Sequence, residues 1–153
     1  KNVKRFIVGY FGVGSAVLED FCKKNNINNT VFKKGFLQEE TLLQYKGVSA
    51  INNIYGNNDP RLDYALSNKL YHAAQLQIPI LVSSNTYMAD VSCANNFGYV
   101  VNLDDPLMAE KLYQWLENID RDKVTKGTKK FLTNVNIESK EYNLMIHNFS
   151  KGK

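Results

Sequence analysis

The chain has 153 residues, of which 44% are hydrophobic and 22% are charged, and its formal net charge is +4. This length and composition predict one globular domain and exclude a disordered tail, a collagen-like repeat and a disulfide-rich scaffold. No apolar run reaches about 18 residues, and the first residues lack the apolar core of a secretion signal. We therefore expect neither a transmembrane helix nor a leader.

Segments typical of strands alternate along the chain with segments typical of helices. The first half predicts strands over residues 6–10, 30–32 and 48–54, with a helix over 15–24 and a two-turn helix ending at Tyr45. A loop is predicted around 57–61. A helix over 69–77 follows, whose core face is Leu70, Ala73 and Ala74, with Gln77 as a further candidate.

The second half continues the alternation with strands predicted over 79–83 and 98–101 and a helix over 88–94 between them. The Asp104-Asp105-Pro106 run predicts the start of another helix. Two last helices are predicted at about 123–132 and 138–149. Five strands alternating with helices predict a single α/β domain over residues 1–153, with a Rossmann-like parallel sheet covered by helices on both faces.

Ligands of such folds bind outside the carboxyl ends of the strands. The loops to consider are therefore 9–15, 34–40, 55–68 and 83–87. In the first of them, Gly9, Gly12 and Gly14 match a dinucleotide fingerprint only loosely, because Val17 stands where its third glycine belongs. No acidic residue follows the next strand either, so we expect no nicotinamide or flavin cofactor. A glycine turn that lets a ligand approach the main chain stays open.

Catalytic constellations are nearly absent from the sequence. The two histidines, His72 and His147, are far apart and lack metal-ligand spacing, and no phosphate-loop pattern occurs. We therefore expect no catalytic residue and no metal site.

The most informative local feature is the polar loop that leads into the helix predicted at 69–77. Ser67 or Asn68 can cap that helix, and its free N–H groups and dipole suit a phosphate or a diphosphate. Lys69 adds positive charge, and His72 lies within reach of the same ligand. The alternative is an ordinary capped helix with Lys69 in solvent and His72 as a satisfied polar residue. The residues alone favour neither interpretation.

The run YALSNKLYHAAQLQIPILVS, which begins at Tyr64, resembles the SNKLYE-A-x-A-x-G-x-P-I-I-V-S segment of a known enzyme family. That family is the bacterial GT-B glycosyltransferases of the glycosyl transferases group 1 type, which assemble capsule and surface polysaccharides. Weaker similarity in residues 6–9, 31–37, 48–54 and 96–101 extends the resemblance over most of residues 3–120.

The resemblance implies the C-terminal half of a two-domain enzyme, the Rossmann-like domain that binds the nucleoside diphosphate sugar donor. The partners it implies are that donor, an N-terminal acceptor domain that this chain lacks, and a saccharide or lipid-linked acceptor. It implies a glycosyltransferase as the full-length protein, whereas this chain alone is not expected to turn over. The chemistry would be electrostatic stabilisation of the leaving diphosphate, with no cofactor and no metal.

Carried over to the first half of the chain, the resemblance implies two contacts with the donor. Gly12 and Gly14 would belong to the turn that faces the donor. Phe36 and Leu37 would lie beside the nucleobase, with main-chain groups reading its edge.

In the second half, Ser67, Asn68 and Lys69 would present the helix N-terminus to the diphosphate-sugar. His72 falls where the family has a glutamate that binds the ribose hydroxyls, and Tyr64 falls where many members have the first glutamate of an E-x7-E pair. A neutral histidine accepts only one hydrogen bond per ring. These departures indicate either an unusual donor site or a diverged relative.

Two alternatives to an enzyme therefore stay open, a degenerate non-catalytic transferase-like domain and an α/β interaction domain. The expected location is cytoplasmic. The lysines of residues 123–130 leave open a peripheral attachment to the inner membrane surface. No nucleic-acid partner is expected.

Overall fold

The computed structural model of the chain describes residues 7–56 and 58–152. The chain divides after Lys46 into two compact units, called unit 1 and unit 2 in chain order. Every strand pairing in the described residues is parallel, and helices alternate with the strands, so the predicted α/β class is confirmed. The five strands form a two-stranded sheet and a three-stranded sheet, where the sequence predicts one sheet.

Unit 1 holds the smaller sheet. Strand β1 (Val8–Phe11) pairs with β2 (Thr30–Lys33), with Val8 opposite Thr30 and Phe11 opposite Lys33. Phe6, part of the first predicted strand, lies outside the described residues. The two-turn helix predicted before Gly47 is instead a 3-10 turn followed by one turn of α-helix. The elements of unit 1 are β1 (Val8–Phe11), α1 (Ser15–Lys24), β2 (Thr30–Lys33), the 3-10 turn (Gln38–Glu40) and α2 (Thr41–Gln44).

Unit 2 holds the larger sheet, with β4 (Ile80–Ser83) between β3 (Ile51–Asn53) and β5 (Gly98–Val101). Among the described residues, no helix is both long and apolar enough to cross a membrane. The elements of unit 2 are β3 (Ile51–Asn53), α3 (Pro60–Asp63), α4 (Asn68–Leu76), β4 (Ile80–Ser83), α5 (Tyr87–Ala94), β5 (Gly98–Val101), α6 (Met108–Asn118) and α7 (Arg121–Ser150).

Helices cover both faces of this sheet at β5. Gly98 lies against α5 so closely that a Cβ atom there would overlap the Ser92 hydroxyl. The ring of the next residue, Tyr99, packs 4.5 Å from the ring of Trp115 in α6. Because successive residues of a strand point to opposite faces, α5 and α6 lie on opposite sides of the sheet.

The core of unit 2 sits between α4, α7 and the sheet. As predicted, Leu70, Ala73 and Ala74 of α4 are completely buried. The ring of Phe131 in α7 lies 5.7 Å from Tyr71 and 5.6 Å from Phe97, so three aromatic rings join α4, α7 and the start of β5.

Several predicted boundaries in unit 2 are wrong. The strand predicted over 48–54 is only three residues long. The loop predicted at 57–61 contains the start of α3, which Asp59 caps by accepting the Arg61 N–H. Asn57 of that loop lies outside the described residues. Gln77 is the left-handed C-cap of α4, with φ 54°, and is not a core residue.

Two helix predictions near the C-terminus also change. Helix α6 begins at Met108, after a turn in which the Asp105 carboxylate accepts the Leu107 N–H and pairs with Lys111. The two helices predicted at 123–132 and 138–149 are one helix of 30 residues. The residues between them favour helices weakly but include no proline or glycine, so nothing interrupts the hydrogen-bond ladder.

Candidate functional site

A cavity of about 140 Å³ lies in unit 2 at the carboxyl ends of β3 and β4. Its position is the one at which open parallel α/β sheets bind ligands. The predicted loops 55–68 and 83–87 supply most of its wall. The polar part of that wall is Asn53, Ser67, Ser83 and Thr86, and the remaining lining residues are Tyr55, Gly56, Leu62, Ala65 and Met88.

One helix that begins at the cavity is α4. Its N-cap is Ser67, whose hydroxyl accepts a hydrogen bond of 3.2 Å from the Lys69 N–H. The same hydroxyl donates to the side-chain oxygen of Asn53 over 2.8 Å. Asn53 is the last residue of β3 and is buried. The end of the strand therefore fixes the start of the helix.

The second helix that begins at the cavity is α5. Thr86 caps it by accepting the Ala89 N–H over 3.2 Å, and its hydroxyl donates to the Ser83 carbonyl over 2.9 Å. The Ser83 hydroxyl in turn accepts the Gly56 N–H over 3.0 Å, which ties the loop after β3 to the end of β4. Because Ser67 and Thr86 both line the cavity, two positive helix ends border one space, which favours an anionic ligand.

Lys69 brings a full positive charge to the edge of this site. Its Nζ donates a hydrogen bond of 2.9 Å to the Asn52 carbonyl and lies 5.0 Å from the centre of the Tyr55 ring. Tyr55 lines the cavity, so the ammonium group is held beside the cavity wall and does not extend away from the fold.

Three further residues predicted for this site, Tyr64, Asn68 and His72, do not line the cavity. Tyr64 is 78% exposed at the end of α3, and Asn68 is the exposed first residue of α4. His72 is half-buried in α4, and this burial lowers the pKa of its imidazole, which favours the neutral form. Of the predicted residues in the described part of unit 2, Ser67 alone lines the cavity.

The predicted residues of unit 1 gather at the carboxyl end of β1. Gly12 and Gly14, with φ of 117° and 90°, form the turn between β1 and α1, and such angles favour glycine. A Cβ on Gly12 would lie 3.9 Å from the Phe36 ring, so the turn and this ring are neighbours. Leu37 is 68% exposed, and its N–H donates to the Glu40 carboxylate over 3.1 Å.

The chemistry available at the cavity is that of hydroxyl groups, the Asn53 side-chain amide and main-chain amides, with one ammonium group at its edge. Within residues 7–56 and 58–152, no group of three His, Cys, Asp or Glu side chains is placed to hold a metal ion. Neither a family model nor a curated protein matches this chain.

The sequence-based site omits three polar residues that line the cavity, Asn53, Ser83 and Thr86. A signal for two of them exists, because the polar run Ser83-Ser84-Asn85-Thr86 begins at the last residue of a buried strand and leads into a helix, which is typical of an N-cap region. Asn53 gives no comparable signal, since its role depends on a partner 14 residues away.

Proposed function

We propose that this chain binds a nucleoside diphosphate sugar, as the donor domain of a glycosyltransferase that transfers a glycosyl unit in surface polysaccharide biosynthesis. The observation that carries the proposal is the cavity at the ends of β3 and β4, which the N-caps of both α4 and α5 border. The resemblance to GT-B enzymes is a second line of support. The resembling run, which begins at Tyr64, forms α4 and β4, and both elements border the cavity.

In this proposal the diphosphate lies at the start of α4, with Ser67 and Asn68 nearest to it. A charge-assisted hydrogen bond to a phosphate oxygen is stronger than one to a neutral carbonyl. Lys69 therefore exchanges the Asn52 carbonyl for the diphosphate when the donor binds. The helix dipole and the ammonium group stabilise the negative charge that develops on the leaving diphosphate. The acceptor and the rest of the cleft belong to the acceptor domain.

A titration of this chain with UDP, GDP, ADP and CDP tests the proposal. A nucleotide that binds only the folded state stabilises it by mass action and so raises the melting temperature. At a concentration of 100 times its Kd, the free energy of unfolding rises by about 2.7 kcal/mol. Amide NMR signals of Ser67, Lys69 and Ser83 should move in the same titration. Failure of all four nucleotides to bind at millimolar concentration would contradict donor binding by this chain.

Asn68→Asp separates ligand repulsion from damage to the fold. An aspartate at the first position of α4 suits the helix dipole, so the fold should keep its stability. The added charge repels a diphosphate, so nucleotide affinity should fall at least about fivefold, a typical electrostatic effect of roughly 1 kcal/mol. Ala109→Asp adds the same charge in the exposed first turn of α6 and is the matched control. An equal loss in both variants would argue against binding at α4.

A non-catalytic, transferase-like domain is the second candidate, and His72 is the residue that favours it. A neutral imidazole cannot replace a carboxylate that accepts hydrogen bonds from both ribose hydroxyls. His72→Glu distinguishes the two candidates. Tighter nucleotide binding by the variant indicates a degenerate site, whereas weaker binding indicates a site specialised for histidine.

A further inference from the structure

Helix α7 packs against its own unit only at its beginning. It has 30 residues, a length of about 45 Å at 1.5 Å per residue. Its buried residues are Val124, Gly127, Thr128 and Phe131, and none of residues 132–152 is buried. More than half of the helix is therefore uncovered.

One face of α7 is formed by residues that recur at alternating intervals of four and three positions along the whole helix. The first members, Val124, Thr128 and Phe131, are buried against unit 2. The later members continue the same face on the exposed part of the helix. This is the spacing by which helices pack against one another in coiled coils. We call the part of this face beyond Phe131 the α7 stripe, and it consists of Val135, Glu138, Tyr142, Met145 and Phe149, flanked by Leu132 and Ile146. Val135 and Leu132 are half-buried, and the other five residues are exposed.

The α7 stripe exposes large apolar side chains side by side. Tyr142 is 59% exposed, Met145 61%, Ile146 48% and Phe149 84%. Together these four side chains expose about 500 Å² in each copy, taking roughly 200 Å² for a whole large side chain. Two copies packed together would bury about 1,000 Å², which is the size at which specific interfaces begin. A shallow depression of about 460 Å³ lies along one side of the stripe, lined by Glu141, Leu144, Met145, Asn148 and Phe149.

We propose that the α7 stripe is a homodimer interface, in which α7 of a second copy packs antiparallel against it. The identical helix offers an identical seam, as a two-fold interface requires. A parallel pair in register would place Glu138 against Glu138 of the second copy, two like charges in an apolar seam. An antiparallel pair centred near Lys140 places Glu138 opposite Tyr142 of the second copy, whose hydroxyl can donate to the carboxylate.

The same antiparallel register pairs the apolar residues. Val135 faces Met145 of the second copy, and Leu132 and Ile146 lie along the side of the seam. Phe149 reaches the end of the partner's stripe beside Phe131, where the helix becomes buried. The interface therefore continues the packing that already holds α7 on unit 2, and the inference does not depend on the proposed function.

A membrane surface fits the exposed part of α7 less well. Interfacial helices carry an excess of lysine and arginine on the polar face. Residues 132–150 contain Lys140 against Glu138 and Glu141, and thus have no cationic excess. The lysines at 123, 126, 129 and 130 lie on the part of the helix that packs against its own unit.

Sedimentation velocity of the full chain at about 10–100 µM tests the dimer. The expected mass is twice the 17.5 kDa of one chain. Met145→Lys places a charge in the seam and should raise the dimer Kd more than about tenfold, because an unpaired charge resists burial. Asn143→Lys adds the same charge on an exposed position beside the stripe and should leave the dimer unchanged. Circular dichroism should show equal helicity in both variants.

Two results would overturn the dimer. One is a monomer at 100 µM, and binding of that monomer to vesicles of phosphatidylcholine with 30% phosphatidylserine would assign the stripe to a membrane surface. The other is a dimer that Met145→Lys leaves intact. For the direction of pairing, Val135→Cys and Met145→Cys chains, both carrying Cys93→Ser, should form a mixed disulfide on oxidation. Cross-linking of Val135→Cys chains only with each other would contradict the antiparallel arrangement.

Discussion

The hydroxyl of Ser67 donates a hydrogen bond to the side-chain oxygen of Asn53 over 2.8 Å, so a single side chain joins the end of β3 to the start of α4. It also caps the helix by accepting the Lys69 N–H. This pair holds one wall of the cavity, because both residues line it. The strand end thus determines where the positive end of the helix lies.

Ser67→Ala should lower the free energy of unfolding by about 2 kcal/mol. Loss of the cap costs about 1 kcal/mol, and the buried Asn53 oxygen loses a donor at a further cost of about 1 kcal/mol. Urea denaturation measures the difference. Ser67→Thr keeps the hydroxyl and should lose less than half as much. Equal losses in the two variants would show that the hydroxyl is not what fixes α4.

Lys69→Met should weaken binding of the nucleoside diphosphate identified by titration about tenfold. The methionine keeps the apolar stem beside Tyr55 but removes the charge, and a hydrogen bond to a charged group contributes about 1.5–3 kcal/mol. Isothermal titration calorimetry measures the affinity. Lys130→Met removes a charge from an exposed position of α7 and should bind like the wild type. Undiminished affinity in Lys69→Met would exclude a contact between Lys69 and the diphosphate.

His72 should make the stability of the chain fall between pH 7.5 and pH 5.5. Burial lowers the pKa of this imidazole in the folded state below its unfolded value of about 6.5. The unfolded chain therefore binds a proton first, and stability that is complete above about pH 6.5 is lost as the pH falls towards the folded-state pKa. Urea denaturation at the two pH values should show a smaller loss for His72→Gln. An equal loss in both proteins would indicate that His72 does not contribute.

Helix α4 shows what the sequence can predict, because its signals are local. Residue type limits the cap to Ser67 or Asn68, of which the structure has Ser67, and the 3.6-residue period identifies Leu70, Ala73 and Ala74 as the buried face. The same reasoning places Gln77 at the end of this face. It fails there because the left-handed turn that ends α4 depends on the entry into β4, not on periodicity.

The cavity wall is harder to predict because it depends on contacts between distant residues. Ser83 accepts a hydrogen bond from Gly56, 27 residues earlier in the chain, and no local pattern indicates that pairing. The division of the strands into two sheets is hard to predict for the same reason. It depends on which strands pair with one another, and the hydrophobic period of a single strand does not show its partner. For α7, the sequence analysis predicts two helices, but residues 133–137 include no proline or glycine, and their weak helix propensities of a few tenths of a kcal/mol each do not interrupt the helix.

Gly127 of α7 allows a close approach to the C-terminal end of α5. In an exposed helix, replacing glycine by alanine usually stabilises a protein by about 1 kcal/mol. Here a Cβ atom would overlap the carbonyl oxygen of Asn95, which belongs to the main chain and cannot rotate away. We therefore expect the opposite sign, a loss of about 2 kcal/mol in Gly127→Ala, the typical cost of overpacking.

Urea denaturation measures the effect, and Ser139→Ala on the exposed part of the same helix is the matched control. The control should lie within about 0.5 kcal/mol of the wild type, as is usual for exposed positions. Because Gly127 packs intramolecularly, its effect should not change with protein concentration, whereas substitutions in the α7 stripe should act on dimerisation. A Gly127→Ala variant as stable as the wild type would show that α7 does not lie this close to Asn95.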